Sequence, residues 1–179
     1  MKSDFLEDLL HDELRSLYSA EKQLVKALRK LARAARWPKL QTVLITRLRE
    51  TGVQIQRLEQ IAKLLNRSLA GSKCTFMEQL IEEGERLISE HAASDSGLIA
   101  AAQHLEGYEI EGYRIARNLA SRLGLDEVEA LLQKNLDEEE ATTTKLARLS
   151  LARPCVDEDR EGRAFMPHGT FSATLCVMS

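Results

Sequence analysis

Apolar residues recur at every third or fourth position between Leu6 and Leu149. This spacing matches the turn of an α-helix and does not match the strict alternation of a strand. Leucine, alanine, glutamate, arginine and lysine, which are strong helix formers, are frequent along the chain. In the first segment the apolar stripe is Leu6, Leu10, Leu14, Leu17, Leu24, Leu28 and Leu31. The sequence therefore predicts long amphipathic helices, each with an apolar face that needs a partner helix.

Prolines, glycines and polar stretches divide this pattern into helices. Pro38 ends the first helix, because the residue before a proline is pushed out of the helical region, and Gly124 is suited to cap the fourth. The predicted helices run from about Ser3 to Ala35, Pro38 to Asn66, Phe76 to His91, Gly97 to Leu123 and Asp126 to Ala152. The first two are joined by a short connection, and so are the last two. Each of these pairs is therefore expected to form an antiparallel hairpin.

The expected fold class is all-α: a four-helix bundle with a short extra helix between the two hairpins. We assign residues 1–152 to this bundle, which suits a chain of 179 residues with one domain. Residues 153–179 contain two of the chain's three prolines and show no helical period. We expect them to form a poorly ordered C-terminal extension.

Charge and cysteine content argue against several classes of protein. The formal net charge is −3, which is not typical of a general nucleic-acid-binding protein. No apolar run is long enough to cross a membrane, and the N-terminal segment is acidic and amphipathic, unlike a signal peptide. Cys74, Cys155 and Cys176 are odd in number and lack the spacing of a metal site. We therefore expect a reduced cytoplasmic protein with neither a nucleic acid nor a membrane as its partner.

Carboxylates interrupt the apolar stripe near the middle of every long helix. Buried carboxylates are costly, so several together need cations or shared protons. Arg47 is the basic side chain best placed to neutralise them, but a pair of hard cations such as iron or manganese is the more economical solution. Any one of these residues fits the rim of the bundle equally well, and the coincidence on four helices is what favours a metal site. The carboxylates are Glu21 on the first helix, Glu50 on the second, Glu106 and Glu109 on the fourth and Glu139 on the fifth, and the amide of Gln54 lies one turn after Glu50.

Five stretches of the sequence carry a family signature. They read ELRSLYSAEKQLVKAL, LRETGVQIQRLEQIAKLL, FMEQLIEEG, LIAAAQHLEGYEIEGYRIARNLASRLGL and LDEEEATTTKLARL. Together they resemble the YciE/YciF family, a bacterial group of ferritin-like proteins associated with stress responses. The resemblance runs in order from Phe5 to Leu149 and includes the short third helix.

The resemblance implies a ferritin-like bundle that forms a homodimer and holds a dinuclear site between its helices, with two iron ions or with manganese in their place. The implied activity is that of a ferroxidase, which oxidises Fe(II) with oxygen or peroxide in a stress response. No catalytic residue separate from the metal ligands is implied. The implied ligands are Glu21, Glu50, Gln54, Glu106, Glu109 and Glu139.

The chain departs from the ferritin pattern at several positions. That pattern expects Glu-x-x-His on two helices, but Val53 and Thr142 occupy the histidine positions after Glu50 and Glu139. Relatives in the family often carry an acidic residue where this chain has Thr143. These departures leave a second hypothesis open: a non-catalytic helical dimer that acts as a stress-related interaction protein.

Overall fold

The computed structural model describes residues 2–90 and 94–152, and within these ranges all regular structure is helical. The helices are α1 Lys2–Ala34, α2 Pro38–Leu64, α3 Thr75–Glu90, α4 Asp95–Arg122 and α5 Asp126–Ala152. The predicted fold class is confirmed, and the helices begin and end close to their predicted residues. The predicted C-terminal extension, residues 153–179, lies outside the described residues.

The helix ends follow from the residues that the sequence places there. Trp37 has an extended backbone (φ −82°, ψ 117°), and Pro38 follows in the first turn of α2, where its missing N–H costs nothing. Gly124 has a φ of 67°, which glycine adopts without strain. The N–H of Leu125 then donates to the carbonyl oxygen of Ala120 at 3.0 Å, which closes α4 and allows α5 to turn back.

The four long helices form a closed bundle in which each packs against two others. α1 contacts α2 and α4, and α5 contacts the same two helices from the opposite side. Residues 35–37 join α1 to α2 and residues 123–125 join α4 to α5, as the predicted hairpins require. The short α3 packs on α4 and α1, and Lys30 of α1 pairs with Glu85 of α3 at 2.6 Å. No helix in the described ranges has an apolar stretch long enough to cross a membrane.

A buried polar layer divides the core into two apolar clusters. One cluster lies toward the α1–α2 turn and includes Leu24, Leu28, Leu40, Leu44, Leu98 and Leu146. The other lies toward the α4–α5 turn and includes Leu10, Leu14, Leu58, Ile61, Leu119 and Leu132. Apart from Asp95 at the start of α4, the buried polar residues of the long helices lie at the boundary between the segments that supply these clusters. They form what we call the polar layer: Glu21, Arg47, Thr51, Gln54, Glu106, Glu109, Asn135, Glu139 and Thr142.

Candidate metal centre

Arg47 lies in the polar layer with only 1% of its surface exposed. It shares the buried face of α2 with Thr51 and Gln54. Its Nε donates to both carboxylate oxygens of Glu106, at 2.9 and 3.0 Å. Its Nη1 donates to the Thr51 hydroxyl at 2.8 Å and to Gln54 Oε1 at 2.7 Å. The guanidinium therefore connects α2 to α4 within the core.

The remaining nitrogen of the guanidinium reaches two further carboxylates. Nη2 of Arg47 donates to Glu109 Oε2 at 2.7 Å and to Glu139 Oε1 and Oε2 at 2.8 and 2.7 Å. A guanidinium has five N–H groups, and each nitrogen of Arg47 now has acceptors for all that it carries. The charge of Arg47 is thus shared among carboxylates from α4 and α5, which its planar, forked geometry suits.

Glu21 lies in the same layer but is held by neutral groups. The Tyr113 hydroxyl donates to Glu21 Oε1 at 2.5 Å, and Asn135 Nδ2 donates to the Tyr113 oxygen at 3.1 Å. Asn135 in turn accepts from Nη1 of Arg57 at 2.9 Å. A chain of hydrogen bonds therefore leads from Glu21 toward the half-buried α2–α5 seam.

Two buried carboxylate oxygens in the layer have no hydrogen-bond partner among the described residues. They are Oε2 of Glu21 and Oε1 of Glu109. A buried acceptor without a partner costs about 1–3 kcal/mol, and more when it is charged. Each of these oxygens therefore needs a proton or a cation.

Burial makes the carboxyl groups of this layer weak acids. It raises the pKa of Glu21 from the ordinary 4.5 to about 7, although Arg47 and the hydrogen bond from Tyr113 act in the opposite direction. Burial likewise raises the pKa of Glu109 and of Glu139 well above the usual range, and neighbouring carboxylates add to both shifts. At neutral pH the metal-free layer is therefore partly protonated.

The guanidinium of Arg47 stays charged throughout. Burial alone would lower its pKa, but Glu139, Glu106 and Glu109 together raise that pKa well above its ordinary value. Four buried carboxyl groups thus surround one fixed positive charge, and protons or a further cation must supply the rest of the balance.

Glu21, Glu109 and Glu139 could hold a metal ion. Each offers one carboxylate oxygen, and the three oxygens lie within 4.8 Å of one another. Oxygen ligands suit hard cations such as iron or manganese. A cation here would supply the partner that the free oxygens of Glu21 and Glu109 lack, so the residues fit one ion. Glu106 lies outside this group, and both of its oxygens accept from Nε of Arg47, whereas Glu139 accepts from Nη2 and is also part of the group.

Five of the six predicted ligands come together in the polar layer. They are Glu21, Gln54, Glu106, Glu109 and Glu139, each with 0–1% of its surface exposed. The sixth, Glu50, is placed differently: its side chain is 25% exposed on the α2–α5 seam. It accepts a hydrogen bond from the Thr142 hydroxyl at 3.3 Å and lies 3.9 Å from Lys145 Nζ. Thr51, on the next position of α2, is the residue that enters the layer.

Sequence reasoning missed part of the layer and its link to the surface. Asn135 lies one turn before Glu139 on α5, so the same helical period that selected Glu139 could have found it. Glu138 was not selected from the sequence either; its side chain is only 29% exposed and pairs with Arg57 at 2.8 Å. Glu138 also accepts from Gln54 Nε2 at 3.1 Å, which connects the seam to the layer.

The positions that depart from the ferritin pattern supply no nitrogen ligand. Val53 is 43% exposed on the outer face of α2, and Thr142 is buried with its hydroxyl on Glu50. His104 is exposed, and His11 contacts the Ser68 carbonyl oxygen at 2.9 Å. The described part of the layer therefore offers a cation oxygen ligands only.

Comparison with known proteins agrees with the fold and with the resemblance seen in the sequence. Residues 5–154 match the family described as "Domain of unknown function (DUF892)". Protein YciF from Escherichia coli (strain K12) is 41% identical over 155 residues, which is 84% of this chain and 93% of that protein. The crystal structure of the E. coli stress protein YciF superposes with a TM-score of 0.78 over 82% of this chain and 94% of that one. YcfI from Rhodopseudomonas palustris is 38% identical, with a TM-score of 0.76 over 79% of this chain and 92% of that chain.

Proposed function

The chain belongs to the DUF892 family, whose member YciF from E. coli is described as a stress protein, and from that premise we propose that this protein binds Fe(II) and oxidises it with oxygen or peroxide. The binding groups are the carboxylates of Glu21, Glu109 and Glu139. The observation that carries the proposal is that Glu21 and Glu109, each with one buried oxygen that lacks a hydrogen-bond partner among the described residues, lie close to Glu139. Each of the three residues offers a carboxylate oxygen, and these oxygens lie within 4.8 Å of one another.

The charge of the polar layer can balance both the ferrous substrate and the ferric product. Once ionised, the four buried carboxyl groups exceed the charge of Arg47 by the charge of a trivalent cation. With Fe(II) in place, one carboxyl group can keep a proton, because burial raises the pKa of Glu21, Glu109 and Glu139. The layer is neutral with Fe(II) while that proton is kept and neutral with Fe(III) once it is lost, so loss of the proton can accompany loss of an electron from the iron.

The surrounding residues position the ligands and exclude water. Arg47 orients Glu109 and Glu139, and the Tyr113 hydroxyl orients Glu21. The apolar clusters on both sides leave these groups almost without exposed surface, so the layer suits an ion rather than an organic substrate. Iron supplies the redox chemistry, giving one electron to the oxidant and leaving the protein's own groups unchanged.

Three further parts of the proposal come from the family. We propose that the protein acts in a bacterial stress response, that it works in the cytoplasm and that it is a homodimer. Manganese is the other hard cation that these oxygen ligands suit. Two iron ions per chain remain the prediction drawn from the resemblance.

Anaerobic loading with Fe(II) tests the proposal. We expect stoichiometric Fe(II) on the wild-type chain and a ferric absorbance band after oxygen or peroxide is added. Glu109→Gln should abolish both, because it removes a ligand charge with little change in shape. Glu111→Gln is the matched control, since Glu111 is exposed two residues further along α4. Equal iron binding by wild type and Glu109→Gln would contradict the proposal.

The non-catalytic helical dimer is the second candidate, and the saturated hydrogen bonding of Arg47 favours it. An internal guanidinium gives the layer a counter-ion without any metal. If this alternative is correct, light scattering shows that the metal-free protein is a dimer. Added Fe(II) then neither binds to the protein nor raises its unfolding temperature. Stoichiometric iron with oxygen-dependent oxidation would exclude it.

A further inference from the structure

We propose that the guanidinium of Arg47 occupies the place of a second cation in the polar layer, so that the chain binds no second metal ion while Arg47 is present. The proposal deepens the proposed function, on which it rests for the ion at Glu21, Glu109 and Glu139. It departs from the two ions per chain that the family resemblance implies.

The contacts of Arg47 are those expected of a cation. Four of the six predicted metal ligands accept hydrogen bonds from its three nitrogens, at 2.7–3.0 Å: Gln54, Glu106, Glu109 and Glu139. They come from α2, α4 and α5, and all four are buried. A positive group at the meeting point of such ligands does the electrostatic work that a metal ion would do there.

Glu106 distinguishes a second cation site from the first. Both of its oxygens accept from Nε of Arg47, and Glu106 is not one of the three residues whose oxygens cluster for a metal ion. Removal of the guanidinium frees Glu106 together with oxygens of Glu109 and Glu139, and of these three carboxylates only Glu106 lies outside the first site. Glu21 makes no hydrogen bond to Arg47 and keeps its own partner, Tyr113.

A single bound ion changes the electron count of the proposed reaction. One Fe(II) gives one electron, whereas reduction of peroxide to water takes two electrons and two protons. Each peroxide therefore takes one electron from Fe(II) on each of two chains, and with two protons its O–O bond is broken to give two water molecules. The product is one Fe(III) on the carboxylates of each chain and not a pair of ferric ions within one bundle.

Mn(II) is the probe for this inference, with the whole chain, Arg47→Met, and the double variant Arg47→Met/Glu106→Gln. Methionine keeps an unbranched side chain, but it is shorter than arginine, lacks the guanidinium and carries no charge. We expect equilibrium dialysis to give about one more Mn(II) per chain for Arg47→Met than for wild type, because Glu106 and the space of the guanidinium are freed. The electron paramagnetic resonance spectrum should change from that of an isolated Mn(II) to that of two coupled ions.

The double variant is the matched control, since it removes the carboxylate together with its counter-charge. It should bind the same number of Mn(II) ions as the wild type. A gain that persists in the double variant would overturn the assignment of Glu106. Two ions on the wild type, or no gain in Arg47→Met, would overturn the inference itself.

Folding of the variant is part of the test. If Arg47→Met is unfolded without metal, refolding in millimolar Mn(II) should restore the helical circular dichroism, because a cation replaces the lost charge. A chain that stays unfolded at every Mn(II) concentration contradicts the inference. If the wild type binds no Mn(II) while Arg47→Met binds one ion, the proposed function fails and the inference about Arg47 stands.

Discussion

The polar layer has two sides, and the charge of the buried carboxylates is balanced differently on each. On the Arg47 side, every N–H of the guanidinium has an acceptor, and both oxygens of Glu106 are used. On the Glu21 side, a neutral tyrosine holds one oxygen, and the other oxygen has no partner among the described residues. The first side carries its own cation within the fold. The second side depends on protons or on a cation taken from outside.

Removal of the internal cation should have the largest effect on stability. Arg47→Met leaves several buried carboxylates without their counter-charge, and we expect the metal-free protein to lose about 3–5 kcal/mol of its free energy of unfolding. Urea unfolding in a chelator at neutral pH measures this loss. Arg49→Met is the control, because Arg49 is exposed on the same helix and its removal should change stability by less than about 0.5 kcal/mol. Equal losses of stability in the two variants would contradict the claim that Arg47 stabilises the layer as its internal cation.

The Glu21 side should make stability depend on pH. The pKa of Glu21 is about 7 in the folded chain and ordinarily 4.5, so between these values the folded state keeps a proton that the unfolded state has lost. The contribution of Glu21 to the free energy of unfolding is therefore most favourable below about pH 4.5. It decreases as the pH rises toward 7, by up to about 1.4 kcal/mol per pH unit. Urea midpoints of metal-free protein between pH 5 and pH 8 test the sign. Stability that increases over this range would contradict it.

Metal binding should show the opposite dependence on pH. Ligand carboxylates must lose their protons, so binding releases protons and the affinity for Mn(II) should increase as the pH rises through 7. Titration calorimetry in two buffers of different ionisation enthalpy counts the released protons. An affinity that does not vary with pH would place the ion outside this carboxylate group.

Tyr113→Phe tests the neutral contact that holds Glu21. The change leaves Glu21 Oε1 and the Asn135 amide without their partner, and should cost about 1–3 kcal/mol of stability. It should also weaken Mn(II) binding, because the hydroxyl favours the ionised form of Glu21. Tyr18→Phe is the control, since that hydroxyl donates to Glu59 at an exposed site. An unchanged Mn(II) affinity in Tyr113→Phe would remove Glu21 from the ligand set.

The smallest effect is expected at the seam that links the layer to the surface. Glu138→Gln weakens the ion pair with Arg57, whose two partners are both partly exposed, and should cost about 0–1 kcal/mol. A chemical denaturation curve beside that of Arg47→Met measures the contrast. A loss as large as that from Arg47→Met would show that the seam and the layer act as one buried network.

Helical period alone predicted much of the layer. Stepping by three or four residues along the apolar stripes selected Glu21, Glu106, Glu109 and Glu139, and all four are buried. The same stepping does not decide between Glu50 and Thr51, which lie three and four residues after Arg47. In the closed bundle Thr51 is buried and accepts from Arg47, whereas Glu50 lies against α5 on the partly exposed seam.

The contacts of Arg47 at the centre of the layer could not be predicted from the sequence. Spacing identified Arg47 as the best basic candidate, but an arginine side chain is long enough to reach solvent or core from the same position. Its contacts depend on three carboxylates from other helices that converge only after the bundle is closed. The free oxygens of Glu21 and Glu109 are likewise properties of the packed layer and have no counterpart in the sequence pattern.

A crystal of the wild-type chain grown with Mn(II) tests the central claim most directly, through its anomalous difference map. We predict one strong peak in the polar layer, bounded by carboxylate oxygens of Glu21, Glu109 and Glu139. Arg47 should remain on both oxygens of Glu106. Two peaks between the helices, a peak that displaces Arg47, or a layer without any peak would contradict the account.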